Sequence, residues 1–361
     1  MDRLPQEIFL EILLLLPVKS LLRSKLVCKS WRFLISNPDF VKQHVARTTN
    51  NPNNHDLFIA YDEFNHFFSV IDVNSIDRAI RLNPPIKFSY VVGSCNGLLC
   101  LADRANELYL WNPVTRQVKN MPGYKYSVRE NSNDYRIAFG FGFDHASSDY
   151  KAVRIVQKFD DIELVNRVEV YSLNENCWKE INVELDIGYV DGRRCSLNGS
   201  IYWSAQKRPH DFRQLVLLSF NVQSLIFCTI QLPDDLSARL YSHRRRYYEI
   251  GLFQYKEYVA LCYRFDRGGC LIYTVLDGNC WCTNMTVKRL DYLAGCLKTG
   301  ELIGLRDHCF EEEGQRSGRR ICYGNVVVLY DSVNDVVKYI QPIPNGRRKL
   351  YHYTESVLDL N

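Results

Sequence analysis

The chain has 361 residues, is 46% hydrophobic and 13% aromatic, and carries a formal net charge of +4 at pH 7. This length and composition are typical of a globular protein of about two domains. No stretch approaches the roughly 18 uninterrupted apolar residues of a membrane span, and Asp2, Glu7 and Glu11 surround or interrupt the apolar N-terminal segment, unlike a secretory signal. We therefore expect neither a membrane partner nor export.

The net charge and the cysteines narrow the function classes further. Residues 1–47 hold eight Lys or Arg and four Asp or Glu, so the rest of the chain is neutral. A sequence-independent nucleic-acid binder needs a strong basic field, so we expect no nucleic-acid partner. The 13 cysteines are odd in number and contain no CxxC pair, which favours reduced thiols, no zinc site and a location in the cytosol or nucleus.

The first 46 residues predict a helical unit. Pro5 suits the first position of a helix, which is expected to run to about Leu16 and to end at Pro17. Two short helices and a final turn capped by Asn37 follow. Residues 47–56 are polar and Asn-rich and predict a linker to a second domain, residues 57–361.

The helical unit contains more apolar side chains than it can bury. Residues 12–16 are all Ile or Leu, whereas a unit of about 45 residues has little interior. Each large apolar side chain left in water forgoes roughly 1.5 to 3 kcal/mol. The excess indicates either a surface for another protein or docking onto the rest of the chain, and periodicity alone does not separate the two.

Residues 4–35, LPQEIFLEILLLLPVKSLLRSKLVCKSWRFLI, resemble the F-box motif in the order and spacing of its Leu-Pro, Ile-Leu, Leu-Pro-Val, Leu-Leu and Val-Cys-Lys-x-Trp elements. That resemblance implies docking on the acidic Skp adaptor of an SCF-type cullin ubiquitin ligase, with Lys19, Lys25 and Lys29 facing the adaptor's acidic groups. The expected adaptor-binding residues are Leu4, Pro5, Ile8, Ile12, Leu13, Leu16, Pro17, Val18, Leu21, Leu22, Val27, Cys28, Lys29 and Trp31.

Beyond the linker, one pattern recurs. Five stretches share alternating apolar residues, an Asn or Asp turn and a second short strand, and they align at Tyr109, Tyr171, Phe220, Tyr273 and Tyr330. Each follows another predicted strand pair, and four strands per repeat of about 50 residues indicate a propeller blade. The fold class is therefore α + all-β, a helical unit followed by a β-propeller. Two stacked antiparallel sheets are the alternative fold.

Blade number and ring closure follow from the two ends of this region. LFIAYDEFNHFFSVIDV, from residue 57, adds a sixth repeat, so six blades are favoured and seven stay open. We expect the terminal YTESVLDL, residues 353–360, to return as a strand and complete the first blade, because closure removes two sheet edges. Asn198-Gly199 predicts a tight hairpin.

Several segments of this region are similar to the kelch-like F-box-associated domain of plant F-box proteins, a group that includes the S-locus F-box proteins of pollen. They are SCNGLLCL (94–101), WNPVTRQ (111–117), FGFGFD (139–144), DYKAVRI (149–155) and VEVYSLNENCWK (168–179). The resemblance implies a substrate-recognition domain. It makes an S-locus ribonuclease one candidate target and leaves the target otherwise open.

No catalytic motif is found. FGFGFDH has His145 where a dinucleotide fingerprint needs its third glycine, and it predicts a strand. G-x-S-x-G, phosphate-loop and H-E-x-x-H motifs are absent from the sequence. We assign no catalytic residue, cofactor or metal ligand. Because propeller enzymes gather groups from distant blades, a hydrolase or oxidase with a helical leader stays an alternative, as does a scaffold that recruits without degradation.

Two charged segments are candidates for target recognition. Arg244, Arg245 and Arg246 with Tyr247 form a predicted inter-strand loop, and Arg and Tyr dominate interface hot spots. A solvated loop without a partner is the alternative. Residues 306–320, RDHCFEEEGQRSGRR, are expected to form a charged loop. The sequence as a whole predicts a non-catalytic substrate receptor that binds the Skp adaptor and, through it, a cullin.

Overall fold

The computed structural model describes residues 5–50, 56–62, 67–73, 80–127, 135–159, 164–207, 215–242, 250–265, 269–275, 280–288, 290, 292–313, 319–343 and 348–360. The N-terminal helical unit contains α1 (Gln6–Leu14), α2 (Val18–Ser24), α3 (Lys29–Ser36) and α4 (Pro38–Asn50). Among the described residues, no helix is long and apolar enough to cross a membrane.

Prolines and an asparagine lie directly before three of these helices. Pro5 and Pro17 directly precede α1 and α2, and the carbonyl of Pro17 accepts the first intrahelical bond from Leu21 N at 3.0 Å. The side chain of Asn37 caps α4, since its Oδ1 accepts a hydrogen bond from Asp39 N at 2.8 Å. The predicted cap at Asn37 is confirmed.

The helix after Asn37 is longer than the single turn predicted, and the predicted linker start at residue 47 lies within it. α4 has 13 residues and ends at Asn50. Phe40, Val41 and Val45 are buried and lie on one side of this helix, so packing on α1 and α3 extends it into the polar stretch. The first strand of the second domain begins at Leu57.

The strands form six sheets of four antiparallel strands each. The first three sheets contain β1 (Leu57–Asp62), β2 (Phe67–Asp72), β3 (Ile80–Leu82) and β24 (Arg348–Tyr353); β4 (Tyr90–Cys95), β5 (Leu98–Ala102), β6 (Leu108–Trp111) and β7 (Val118–Asn120); and β8 (Tyr135–Asp144), β9 (Asp149–Phe159), β10 (Leu164–Ser172) and β11 (Cys177–Ile181).

The other three sheets contain β12 (Tyr189–Leu197), β13 (Ser200–Gln206), β14 (Leu215–Asn221) and β15 (Ile226–Gln231); β16 (Ile250–Tyr255), β17 (Tyr258–Phe265), β18 (Gly269–Val275) and β19 (Trp281–Lys288); and β20 (Tyr292–Cys296), β21 (Leu302–Glu313), β22 (Arg319–Asp331) and β23 (Val336–Ile343). A fifth helix, α5 (Asp234–Ser242), lies between β15 and β16. The fold is therefore a helical unit followed by a six-bladed β-propeller, as predicted.

The ring closes with a strand from the end of the chain, but not with the segment predicted. β24 pairs with β1, with Tyr353 opposite Leu57 and Arg348 opposite Asp62. Of YTESVLDL only Tyr353 belongs to this strand, and residues 354–360, here called the tail, run on without strand pairing. The tail leaves the sheet because its backbone is bonded by side chains of the helical unit and of the second blade.

The repeat predicted from the sequence is confirmed strand by strand. Its five anchor residues all lie on the third strand of a blade, and the turn that follows repeats as well. In three of these turns the first side chain, Asn112, Asn221 or Asp331, accepts backbone N–H bonds from residues two and three positions ahead. The Asn198-Gly199 turn has φ values of 49° and 72°, as a tight hairpin requires.

FGFGFD forms part of β8, as predicted, and its glycines permit close packing between blades. A Cβ at Gly140 would lie 2.4 Å from Cζ2 of Trp203 in the next blade. Trp203 is fully buried, and its Nε1 donates a hydrogen bond to the Phe139 carbonyl at 2.9 Å. A side chain at position 140 would push these two blades apart.

The two ends of the propeller differ. Turns that join the first to the second strand and the third to the fourth strand of each blade lie at one end, here called the docked end. It contacts the helical unit, since Lys42 Nζ donates to the carbonyl of His145 at 3.3 Å and Val114 packs on the helices. Connections between second and third strands, and between blades, lie at the opposite end, here called the loop end.

Candidate functional site: the exposed face of the helical unit and the loop end

The helical unit has a small core of its own. Leu13 and Leu14 of α1, Leu21 of α2 and Ile35 of α3 are buried together, with Leu13 only 1% exposed. Val357 of the tail is buried in the same cluster. Part of the apolar run therefore holds the helices to each other and to the docked end of the propeller. Self-docking, one of the two explanations left open by the sequence, accounts for these residues.

The tail lies between the helical unit and the second blade. Lys25 Nζ donates to the Val357 carbonyl at 2.9 Å and to the Asp359 carboxylate at 2.9 Å. On the propeller side, Asn112 Nδ2 donates to the carbonyls of Ser356 at 3.1 Å and Leu358 at 2.9 Å. The expectation that Lys25 faces the adaptor is not met in this structure, because its ammonium group binds the tail of the same chain.

Charge strengthens the attachment of the tail to the helices at Asp359, whereas burial disfavours the charged form of Glu355. Burial alone would raise the pKa of Asp359, but the Lys25 ammonium and the Ser36 hydroxyl outweigh it and hold the pKa below its usual value. Burial raises the pKa of Glu355, an effect that Lys19 opposes. Two of the three lysines predicted to face the adaptor therefore interact with acids of this chain's tail, and Lys29 is exposed.

Large apolar side chains nevertheless stay exposed on the helical unit. On α1 and at Leu15, the residue that follows it, they form one stripe, with Ile8 49%, Ile12 45% and Leu15 75% exposed. Val27, between α2 and α3, is 64% exposed, and Phe33 of α3 is 79% exposed. We call Ile8, Ile12, Leu15 and Val27 the apolar face. Neither the unit's own core nor the propeller covers it.

The predicted adaptor-binding residues fall into three groups. Leu13, Val18 and Leu21 are buried and hold the unit together, so any contribution to binding would be indirect. Leu16, Leu22 and Trp31 are half-buried, and Leu4 lies outside the described residues. The exposed members are Pro5, Ile8, Ile12, Pro17, Val27, Cys28 and Lys29.

Sequence reasoning missed Leu15, Leu26 and Phe33, which are exposed. Leu15 could have been found, because it lies seven positions after Ile8 and so shares its stripe. Leu26 precedes α3 in a loop where no periodic signal operates. Phe33 lies two positions after Trp31 in α3. Trp31 is half-buried, and its ring packs on that of Phe9 with centroids 4.9 Å apart.

Cys28 lies at the N-terminus of α3 within the predicted adaptor-binding segment. It is exposed, and its Sγ is 3.1 Å from Ser30 Oγ. The Ser30 hydroxyl, followed by the backbone N–H of Trp31, lowers the pKa of the Cys28 thiol. The eleven cysteines whose side chains are described are all free thiols.

Of the two charged segments, the first cannot be placed. Arg244, Arg245, Arg246 and Tyr247 lie outside the described residues, in a segment that follows α5 and rejoins the fold at Ile250. In the sequence the segment lies between β15 of the fourth blade and β16 of the fifth.

The second charged segment is not the loop expected for 306–320. Its residues belong mostly to β21 and β22, whose pairing continues to Glu313 opposite Arg319. β20 pairs with β21 only as far as Leu305 and β23 with β22 only as far as Asn325, so the rest is a two-stranded arm at the loop end.

The innermost strands β4, β8, β12, β16, β20 and β24 enclose a central channel. Among the described residues that line it, the carboxylates are Asp56 and Asp191. No group of three or more His, Cys, Asp or Glu that could hold a metal occurs within the described part of the chain. The converging acids or ligands that would favour a propeller enzyme are thus not found among these residues.

Comparisons with known proteins agree with both domains. Residues 1–47 match the F-box-like family and residues 29–245 match the F-box associated beta propeller domain family. The F-box protein CPR1 of Arabidopsis thaliana is 29% identical over 66% of this chain and 62% of its own length. The F-box/WD-40 repeat-containing protein 1 of the same plant is 32% identical over 64% of this chain and 57% of its own length.

An F-box/kelch-repeat protein of Arabidopsis thaliana is also similar, at 31% identity over 56% of this chain and 58% of its own length. A solved oligogalacturonate lyase of Vibrio parahaemolyticus matches at a TM-score of 0.45 and 10% identity over 81% of this chain and 75% of its own length, a likeness too distant to carry an argument. The chain spans about three fifths of the length of the first curated relatives it matches. It belongs to the family of F-box proteins that carry an F-box-associated β-propeller domain.

Proposed function

We propose that this chain is the substrate receptor of an SCF-type cullin-RING ubiquitin ligase. Its F-box would bind the Skp adaptor, and through it a cullin, while the propeller holds a target protein. The chain itself would perform no bond chemistry and would act by raising the concentration of target lysines near the ubiquitin carrier. This function belongs in the cytosol or nucleus.

The apolar face is the observation that carries the proposal. Ile8, Ile12 and Leu15 remain exposed although the helical unit already packs on the propeller. Full burial of an exposed side chain of this size contributes roughly 1.5 to 3 kcal/mol, and burying the exposed part of each residue against a partner would contribute a corresponding share. Lys29, the first residue of α3, is also exposed. Its positive charge would suit an acidic adaptor.

The loop end is the proposed target-binding surface. The helical unit occupies the docked end, so an adaptor there would leave the opposite end open. The loop end carries the arm of β21 and β22. Loops on a rigid scaffold commonly supply recognition residues, and Arg244, Arg245, Arg246 and Tyr247 remain the proposed target contacts.

Co-purification with the Skp adaptor tests the docking half of this proposal. We expect Ile8→Asp combined with Ile12→Asp to abolish co-purification, because two carboxylates would be desolvated in an apolar interface. Val333→Asp is the matched control, since Val333 is 89% exposed on a propeller turn. Adaptor binding retained by the double variant with an intact fold would reject the docking assignment.

Leu13 is not suited to this test although it is a predicted contact. It is 1% exposed, so an aspartate there would disrupt the core of the helical unit rather than report on an interface.

Target turnover separates a ligase receptor from a non-degradative scaffold. Proteins captured by the wild-type chain after proteasome inhibition, and lost with Arg244, Arg245 and Arg246 all changed to Glu, would be the candidate targets. We expect their half-lives to lengthen when the Ile8→Asp, Ile12→Asp variant replaces the wild type. Unchanged half-lives would favour the scaffold.

A further inference from the structure

The channel through the propeller contains a cavity of about 860 Å³, a size typical of small-molecule sites. Its walls include Gly93, Gly192, Gly251 and Gly295, one from each of four inner strands. A Cβ built at Gly192 would meet no atom within 4 Å. There is thus open space in the channel beside the backbone of Gly192.

Positive charge predominates in the lining. Among the described lining residues there are six Lys or Arg and two Asp. Low-dielectric walls around charges of one sign concentrate ions of the other sign. The basic residues are Arg193, Arg194, Lys256, Arg264, Lys298 and Lys349, and the acids are Asp56 and Asp191.

Arg194 crosses from the fourth blade to the second. Its Nη2 donates to the Val91 carbonyl at 2.7 Å, its Nη1 to the Gly192 carbonyl at 2.8 Å and its Nε to the Val92 carbonyl. The pairing register shifts at both places, between Val91 and Gly93 and between Val190 and Arg194. Such bulges free backbone groups and redirect side chains beside functional sites.

Within the part of the chain that the structure describes, no carboxylate pairs with the guanidinium of Arg194. A guanidinium has five N–H donors, and the three hydrogen bonds of Arg194 all go to carbonyl groups. The nearby carboxylate of Asp191 lies 3.4 Å from Nε of Arg193 instead. Burial lowers the pKa of Arg194. The Arg194 side chain is half-buried, and an anion beside a cation that is partly removed from water stabilises it.

We propose that the channel beside Arg194 and Gly192 binds the oxyanion group, a carboxylate or a phosphate, of a small organic molecule. The two remaining N–H donors of the guanidinium can form charge-assisted bonds with such a group. Apolar wall residues, among them Ile137, Leu252 and Ala294, suit the organic part. This site is independent of adaptor docking, so either proposal can fail alone.

Calorimetric titration of the folded full-length chain with phenyl phosphate, benzoate and inorganic phosphate tests the site. We expect one-to-one binding of at least one organic probe, weakened about tenfold or more in Arg194→Met, which corresponds to about 1.4 kcal/mol. Phenyl phosphate alone would identify a phosphate ester, and benzoate alone a carboxylate. Arg167→Met is the matched control, because Arg167 is an exposed surface arginine paired with Glu180.

A second variant separates ligand binding from the structural contribution of Arg194. Gly192→Leu keeps the guanidinium and fills the open space, so it should weaken binding while the chain still unfolds cooperatively. No heat of binding with any of the three probes would overturn the proposal. Equal affinity in the wild type and in Gly192→Leu would do so as well, as would binding of an acidic peptide in the absence of binding by small anions.

Discussion

Lys25, which directly follows α2, and Asp359 in the tail form an ion pair with Nζ and Oδ2 2.9 Å apart. They are separated by 334 positions in the chain, so the pair joins the two ends of the polypeptide. The same tail is bonded to the second blade through Asn112 and Gln117. The helical unit is thus fixed to the propeller, which would set the distance between an adaptor and a target.

Breaking this pair should loosen the helical unit. We expect Lys25→Met to reduce the free energy of unfolding by about 1 to 2 kcal/mol, because it removes charged hydrogen bonds to the tail. This value is reduced for solvent screening, since Asp359 is partly exposed. Lys179→Met is the control, since Lys179 forms a solvent-exposed pair with Glu175 and its loss should have a clearly smaller effect on stability. Denaturant unfolding measures both. Equal effects would show that the tail contact contributes nothing.

The attachment of the tail should weaken in acid. The folded-state pKa of Asp359 is lowered, so its contribution is present above the unfolded value of about 3.9 and is lost as pH falls below it. We expect the protection of residues 354–360, measured as exchange relative to the intrinsic rate at the same pH, to decrease below about pH 4 in the wild type. In Asp359→Asn this exchange should be fast already at pH 6. A protected tail in that variant would contradict the assignment.

Two truncations should have different effects. Removing residues 354–361 leaves β24 in place, so the ring should stay closed while the helical unit loses the buried Val357, at a cost of roughly 1.5 to 3 kcal/mol. Removing residues 348–361 deletes β24 and leaves β1 as an open edge, which should cause aggregation. Size-exclusion chromatography and thermal unfolding compare the two. Similar behaviour of both would contradict the observed closure.

Close packing between the third and fourth blades should not tolerate a side chain at Gly140. Its Cβ would lie 2.4 Å from the Trp203 ring, so we expect Gly140→Ala to cost about 1 to 3 kcal/mol. Gly123→Ala is the control, because a Cβ there meets nothing within 4 Å. Thermal unfolding measures the difference, and equal midpoints would mean that the blades adjust freely.

The local parts of this architecture could be predicted from the sequence. The turn after each anchor strand depends on a few neighbouring residues, as at Asn112 and Asn221, so its recurrence is visible in the sequence. The helix breaks at Pro5 and Pro17 are equally local. Both signals arise within a few residues and do not depend on the rest of the fold.

The long-range contacts could not be predicted. Whether Lys25 meets an adaptor or Asp359 depends on where the tail lies, and no periodic pattern encodes that position. The same applies to Leu13, buried, and Leu15, exposed, which belong to one apolar run. The contacts of Arg194 with Val91 and Val92 depend on two bulges in different blades, and the local sequence around Arg194 does not predict them.

Hydrogen exchange of the full-length chain, alone and with the Skp adaptor, tests the central claim most directly. We expect the adaptor to protect residues 6–16 and 25–29, which contain the apolar face, and to leave the loop end unchanged. The Ile8→Asp, Ile12→Asp variant should show no such protection. Protection at the loop end instead, or no change in residues 6–16 at saturating adaptor, would contradict the proposal that the apolar face binds the adaptor.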